Sequence, residues 1–175
     1  MSGDANISEK LNVLNSADLS VSRQELTKCC GSSSWVNRML EARPFQSAQS
    51  IIECADDIWF KLAPADWLEA FTHHPKIGDK ASLEAKFATT AHWAENEQKG
   101  VNNADETQLE DLAQLNDQYF EKFGYIFIVC ATGKTAGEML SLLKERLPNL
   151  PSEELKIAAK EQSKITKIRL EKLLS

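Results

Sequence analysis

Tyr125-Ile126-Phe127-Ile128-Val129-Cys130 is the stretch on which the fold class turns. Its β-branched and aromatic content reads as a buried strand. A strand needs a ladder partner, and no second segment of this character occurs along the chain. A helix or an extended piece of core is therefore expected there, not a sheet. On both sides the apolar residues recur at helical spacing. Upstream, Asn103-Ala104-Asp105-Glu106 is a cap-like opening for a helix reaching Phe123. Downstream, Thr135-x-x-Glu138 has the form of a capping box for a helix to Leu147. Pro148, Asn149 and Pro151 form a break, and a last helix is expected from Ser152 to near Leu174.

The first half reads the same way. Ser22-Arg23-Gln24-Glu25 has the S-x-x-E form, so a helix is expected to start there and stop near Gly31. Ser32 to Glu41 follows, with Trp35, Met39 and Leu40 on one face, until Pro44 breaks the pattern. Gln46 to Leu62 carries Ile51, Ile52, Ala55, Ile58, Trp59 and Leu62 at helical spacing. Pro64 suits the first turn of the next helix, which must end at His74 because Pro75 disfavours helical geometry before it. A further helix is expected over about Ser82 to Lys99. The expectation is all-α: one compact domain of about eight helices over residues 1–175, with a buried irregular apolar segment near 125–131.

Composition narrows the function classes. The 175 residues suffice for one core of ordinary size. Lys+Arg 20 against Asp+Glu 26 leaves a net charge of −6, which gives no general attraction to nucleic acid or anionic membrane. No apolar run approaches the ~20 residues needed to span a bilayer. The N-terminus lacks a secretory pattern, and Leu173-Leu174-Ser175 is not the Ser-Lys-Leu peroxisomal address, so a cytoplasmic location is expected. Cys29, Cys30, Cys54 and Cys130 form no C-x-x-C pair and no zinc-ligand spacing, and read as reduced, mostly buried thiols. Gly133-Lys134-Thr135 suggests a phosphate loop, but the position needing its first glycine is Ile128. His73, His74 and His92 do not make a metal site, since adjacent histidines on a helix diverge by about 100°. The lysines of the last helix alternate with Glu153, Glu154, Glu161 and Glu171, as on a solvated face.

Three places are harder to explain as packing. His74 is held before Pro75 at a helix end, and imidazole titrates where proton transfer at neutral pH needs it. The plain alternative is a histidine bonding a local carbonyl. Glu97 lies one turn from Trp93 and just before Gly100, where desolvation beside an indole would raise its basicity; the alternative is an exposed acidic helix end. Leu155, Ala158, Ile165 and Arg169 share a face of the last helix, so Arg169 needs a partner or an anionic ligand. Its alternative is a pairing with an acid.

His74-Pro75-Lys76-Ile77-Gly78 resembles the H-P-x-I-G motif of the 2-oxo-4-hydroxy-4-carboxy-5-ureidoimidazoline (OHCU) decarboxylases. Supporting matches are Trp35 and Met39 ahead of Arg43-Pro44-Phe45, Glu97-Gln98-x-Gly100, Asn116-x-x-Tyr119-x-x-Lys122-Phe123-Gly124-Tyr125, Leu143-x-x-Arg146-Leu147 and Ile165-x-x-x-Arg169-Leu170. Their order and spacing are specific, and the resemblance spans about residues 7–174. It implies an all-helical homodimer without cofactor or metal that decarboxylates OHCU to (S)-allantoin, the final step of urate degradation. It further implies a functional association with 5-hydroxyisourate hydrolase and a urate-oxidising enzyme. The implied catalytic residues are His74, Glu97 and Arg169. Pro75, Ala94, Gln98 and the backbone of Phe127, Ile128, Val129, Cys130 and Ala131 would bind substrate. Ala94 stands where the family has serine, losing one hydroxyl contact. That replacement is the one hint of a different reading, a helical interaction module that kept the fold and lost activity.

Overall fold

The computed structural model describes residues 2–74 and 106–175. Among them are eight helices and no strand: α1 Ser2–Ser16, α2 Leu19–Cys29, α3 Ser33–Glu41, α4 Ala48–Trp59, α5 Pro64–Thr72, α6 Glu106–Phe123, α7 Ala136–Arg146 and α8 Pro151–Leu174. The expected all-α class is what the chain adopts. The helix expected over Ser82 to Lys99 lies outside the described residues. No helix among the described residues is long and apolar enough to cross a membrane. The chain separates into two compact units, Met1–His74 with Ala159–Ser175, and Pro75–Ala158.

In the first unit α3 is the hub, packed by α2, α4 and α5. Its Trp35 and Met39 are fully buried. A buried indole must place its N–H, and each one here does so on a backbone carbonyl. Trp35 donates to Ala55 O at 3.1 Å, Trp59 to Ala159 O at 2.8 Å, and the partly buried Trp67 to Trp59 O at 2.9 Å. The Trp59 bond ties α4 to the later part of α8, where Ser163 Oγ also donates to Asp56 Oδ1 at 2.5 Å.

The Ser22 capping box does not form. Asp18 caps α2, its carboxylate accepting from the Ser20 N–H at 2.9 Å, so the helix starts at Leu19. Ser22 is buried inside α2, donating to Leu14 O at 3.1 Å and accepting from Arg43 Nη1 at 2.8 Å. Arg43 also reaches the Leu14 and Ala17 carbonyls at the end of α1, satisfying acceptors a helix end leaves open. The sequence reading omitted α1, whose buried Leu11 and Leu14 make only a short apolar stripe. Asn15 holds the Phe45 backbone through both its N–H and its C=O, each at 2.8 Å. Arg43-Pro44-Phe45 therefore secures α1.

In the second unit α6 packs on α7. Thr135 and Glu138 form the expected capping box at the start of α7. Gly124, at φ +78°, ends α6 in a conformation that glycine adopts without strain. Residues 126–131 are neither helix nor strand, as expected of an extended core piece. Two details of the last helix differ from expectation. Pro151 is its first residue, a position where its missing N–H costs nothing. Glu154 is not on a solvated face but fully buried. Its Oε1 accepts from Tyr119 Oη at 2.5 Å and from Arg146 Nε at 2.8 Å and Nη2 at 2.5 Å, while Oε2 accepts from Asn149 at 2.8 Å. Arg146 also donates to Ile128 O at 2.8 Å and lies 4.6 Å from the Phe127 ring centroid. One guanidinium thus carries the irregular segment, and Tyr119 stacks edge-on against Phe127 at 5.2 Å.

Removing one member of such a pair strands the other's charge. Arg146→Met is expected to destabilise the protein by about 3–5 kcal/mol, while Arg146→Met with Glu154→Leu should recover part of that loss. Denaturant unfolding of both variants measures this; equal stability for the single and double variants would refute the pair's role.

Candidate active site

α5 begins on Pro64 at its first position, with Asp66 accepting from the Ala63 N–H at 3.1 Å. It ends in tightened turns, the His73 N–H reaching Ala70 O and the His74 N–H reaching Phe71 O, each at 3.2 Å. His73 and His74 then part company. The His73 ring lies against Gly31, where an added Cβ would stand 2.3 Å from His73 Cγ. The half-buried His74 has its Nε2 2.5 Å from Gln162 Oε1 on α8.

Gln162 is fully buried, and its Nε2 donates to Thr166 Oγ1 at 3.2 Å. The sequence reading missed this buried polar pair of Gln162 and Thr166. A signal was present: Gln162 is seven residues from both Leu155 and Arg169, which places an amide in the apolar seam of the last helix. The buried stripe of α8 in fact runs Glu154, Ala158, Gln162, Thr166, Leu170 and Leu174. Leu155, Ile165 and Arg169 flank it, only partly buried, because steps of four residues overshoot a turn by about 40°.

Among the described residues Arg169 pairs with no acid. Its Nη1 donates to Lys28 O at 3.3 Å and Cys29 O at 3.4 Å, the last carbonyls of α2. A cation suits the negative end of a helix, and these bonds aim the guanidinium without neutralising it. Gln162 and Arg169 lie almost in line on α8, about 10.5 Å apart along its axis. Burial pushes the Cys29 thiol up to about 12 and the Cys30 thiol up to about 11, with Arg169 opposing only in part. Both stay protonated at neutral pH, so neither is an activated nucleophile.

Pro75, Ala94, Glu97 and Gln98 lie outside the described residues. Phe127 to Ala131 belong to the second unit. Not all their carbonyls are left for a ligand: Ile128 O accepts from Arg146, Cys130 O from Lys134 Nζ at 2.9 Å, and Ala131 O from the Lys134 N–H at 3.2 Å.

Gly31→Ala would drive a methyl group into His73. Overpacking of this kind costs about 1–3 kcal/mol, so a lowered Tm is expected, with His73→Gly in the same chain recovering much of it. An unchanged Tm for Gly31→Ala would show that the two residues are not in close approach.

The model of the OHCU decarboxylase family matches residues 15–171. The uric acid degradation bifunctional protein of Arabidopsis thaliana is 42% identical over 160 residues, which are 90% of this chain and 48% of that protein. The corresponding bifunctional protein of Bacillus sp. (strain TB-90) is 31% identical over 144 residues, 81% of this chain and 27% of its own length. The chain thus spans about half of the first relative and about a quarter of the second. The 2-oxo-4-hydroxy-4-carboxy-5-ureidoimidazoline decarboxylase of Amia calva is 29% identical over 132 residues, 75% of each chain. A crystal structure of an OHCU decarboxylase in the presence of (S)-allantoin superposes with a TM-score of 0.69 at 42% identity, covering 86% of this chain and 96% of that one. With the family model matching across both units, the chain belongs to the OHCU decarboxylase family.

Proposed function

We propose that the protein decarboxylates OHCU to (S)-allantoin without a cofactor, in the degradation of urate. The observation that carries this reading is the 42% identity to an OHCU decarboxylase structure of which 96% is covered. The His74–Gln162 contact and the helix-anchored Arg169 supply chemistry of the right kind.

The substrate holds a carboxylate and a hydroxyl on one ring carbon, beside a carbon bearing the ureido group. As carbon dioxide leaves, the electron pair of the broken carbon–carbon bond passes into the adjacent imine. The hydroxyl gives up its proton as it becomes a carbonyl, and two protons arrive, one on the former imine nitrogen and one on the neighbouring ring carbon. The net change is one proton taken up for each carbon dioxide released. His74 acts as the acid/base, Glu97 orients it or bonds the ureido group, and Gln98 reads amide edges. Arg169 binds the substrate's anionic or ureido part. Pro75, Ala94 and the backbone of 127–131 complete the proposed set of substrate-binding residues, and protonation from one face sets the product's hand.

The chain acts as one functional domain, a reading supported by a family match that extends through both compact units. It works as a homodimer, and the bifunctional relatives support a functional link to 5-hydroxyisourate hydrolase and urate oxidation. The same reading places the protein in the cytoplasm.

Circular dichroism of freshly generated OHCU tests the reading: the protein should accelerate the appearance of (S)-allantoin, and no acceleration would refute it. His74→Ala should lower turnover by about 10²–10⁴-fold, with a far smaller effect of His73→Ala. Equal losses would overturn the assignment of roles. Arg169→Lys keeps the charge and loses the planar fork, so kcat/KM should fall about tenfold to a hundredfold. A folded Arg169→Lys enzyme with wild-type kcat/KM would remove Arg169 from the site.

A further inference from the structure

The row His74, Gln162, Thr166 has a direction, and the distances set it. The Gln162–Thr166 contact of 3.2 Å lies in the range of N–H···O bonds and beyond that of O–H···O bonds. The amide nitrogen therefore faces Thr166 and the amide oxygen faces His74. The 2.5 Å contact between Gln162 Oε1 and His74 Nε2 agrees, since it is too short for two nitrogens. Thr166 Oγ1 accepts from the amide. An amide oxygen has no proton to give, so His74 Nε2 must carry the hydrogen of that bond.

We infer that Gln162 is a positioning residue: its amide oxygen holds His74 in the Nε2–H tautomer, so that Nδ1 is the atom that takes or gives the proton. Thr166 acts one step further back by keeping the amide from turning over. Neutral imidazole has a single lone pair, and the wrong tautomer would present an N–H where the reaction needs a base. The assignment of this atom to catalysis rests on the proposed decarboxylase function; the tautomer itself does not.

Nitrogen-15 NMR of the labelled, substrate-free protein reads the tautomer directly. The chain has three histidines, and His74→Ala identifies the His74 signals by their loss. The wild type should show His74 protonated at Nε2. Gln162→Met, close in volume but without an acceptor, should lose that preference and lower kcat about tenfold with KM within about twofold, as for a group that acts on the transition state alone. Gln162→Glu retains an oxygen toward Nε2 and should keep the Nε2–H signal and most of the kcat, a rescue that packing alone would not favour over Met. A wild-type His74 protonated at Nδ1 would overturn the inference. So would a Gln162→Met protein with wild-type tautomer and kcat. The spectrum needs no substrate, so it decides the tautomer even for a protein without decarboxylase activity; that inactivity would instead overturn the proposed function.

Discussion

Helix α8 buries three polar side chains, Glu154, Gln162 and Thr166, and every one of them has to be met by a partner. A buried polar group left unsatisfied costs roughly 1–3 kcal/mol, and an unpaired charge costs more. The partners are consequently fixed in place. Glu154 demands Arg146, Tyr119 and Asn149, and Arg146 turns its Nη1 to the Ile128 carbonyl. Gln162 demands His74 at the end of α5, and it meets Thr166 one turn along α8. The elements that meet α8 are thus chosen by hydrogen-bond stoichiometry as much as by apolar area.

Local signals were legible wherever the chemistry is local. The Thr135–Glu138 box, Pro64 at a helix start and the break before Pro75 each act within one turn, and all three take the form their residue types dictate. Ser22-x-x-Glu25 has the same letters as a capping box and no such function. Asp18 already caps the helix, and the Ser22 hydroxyl is taken by a carbonyl eight residues earlier and a guanidinium twenty-one residues later. Glu154 was misread for the same reason. Its spacing among lysines is that of a solvated face, while Arg146, eight residues upstream, and Tyr119, thirty-five upstream, are what bury it.

For the site, the sequence supplied the end members and the structure supplied what lies between. His74 and Arg169 stand out by residue type and position. The amide joining one to α8, and the helix end receiving the other, involve separations of 88 and 141 residues, which no local pattern encodes. Arg169 also shows how an acidic protein presents a cation. Among the described residues its charge is aimed by carbonyl dipoles and not met by a carboxylate, which suits it to an anion.

The placement of the aromatic side chains has an optical consequence. Trp35, Trp59 and Trp67 belong to the first unit, whereas both tyrosines, Tyr119 and Tyr125, belong to the second. The fourth tryptophan, Trp93, falls within the second unit's stretch of chain. In a Trp93→Phe background, light absorbed at the red edge of the indole band excites the first unit alone, while tyrosine absorption belongs to the second. Each unit then carries its own intrinsic chromophore, and loss of structure in one can be followed separately from the other without any added label.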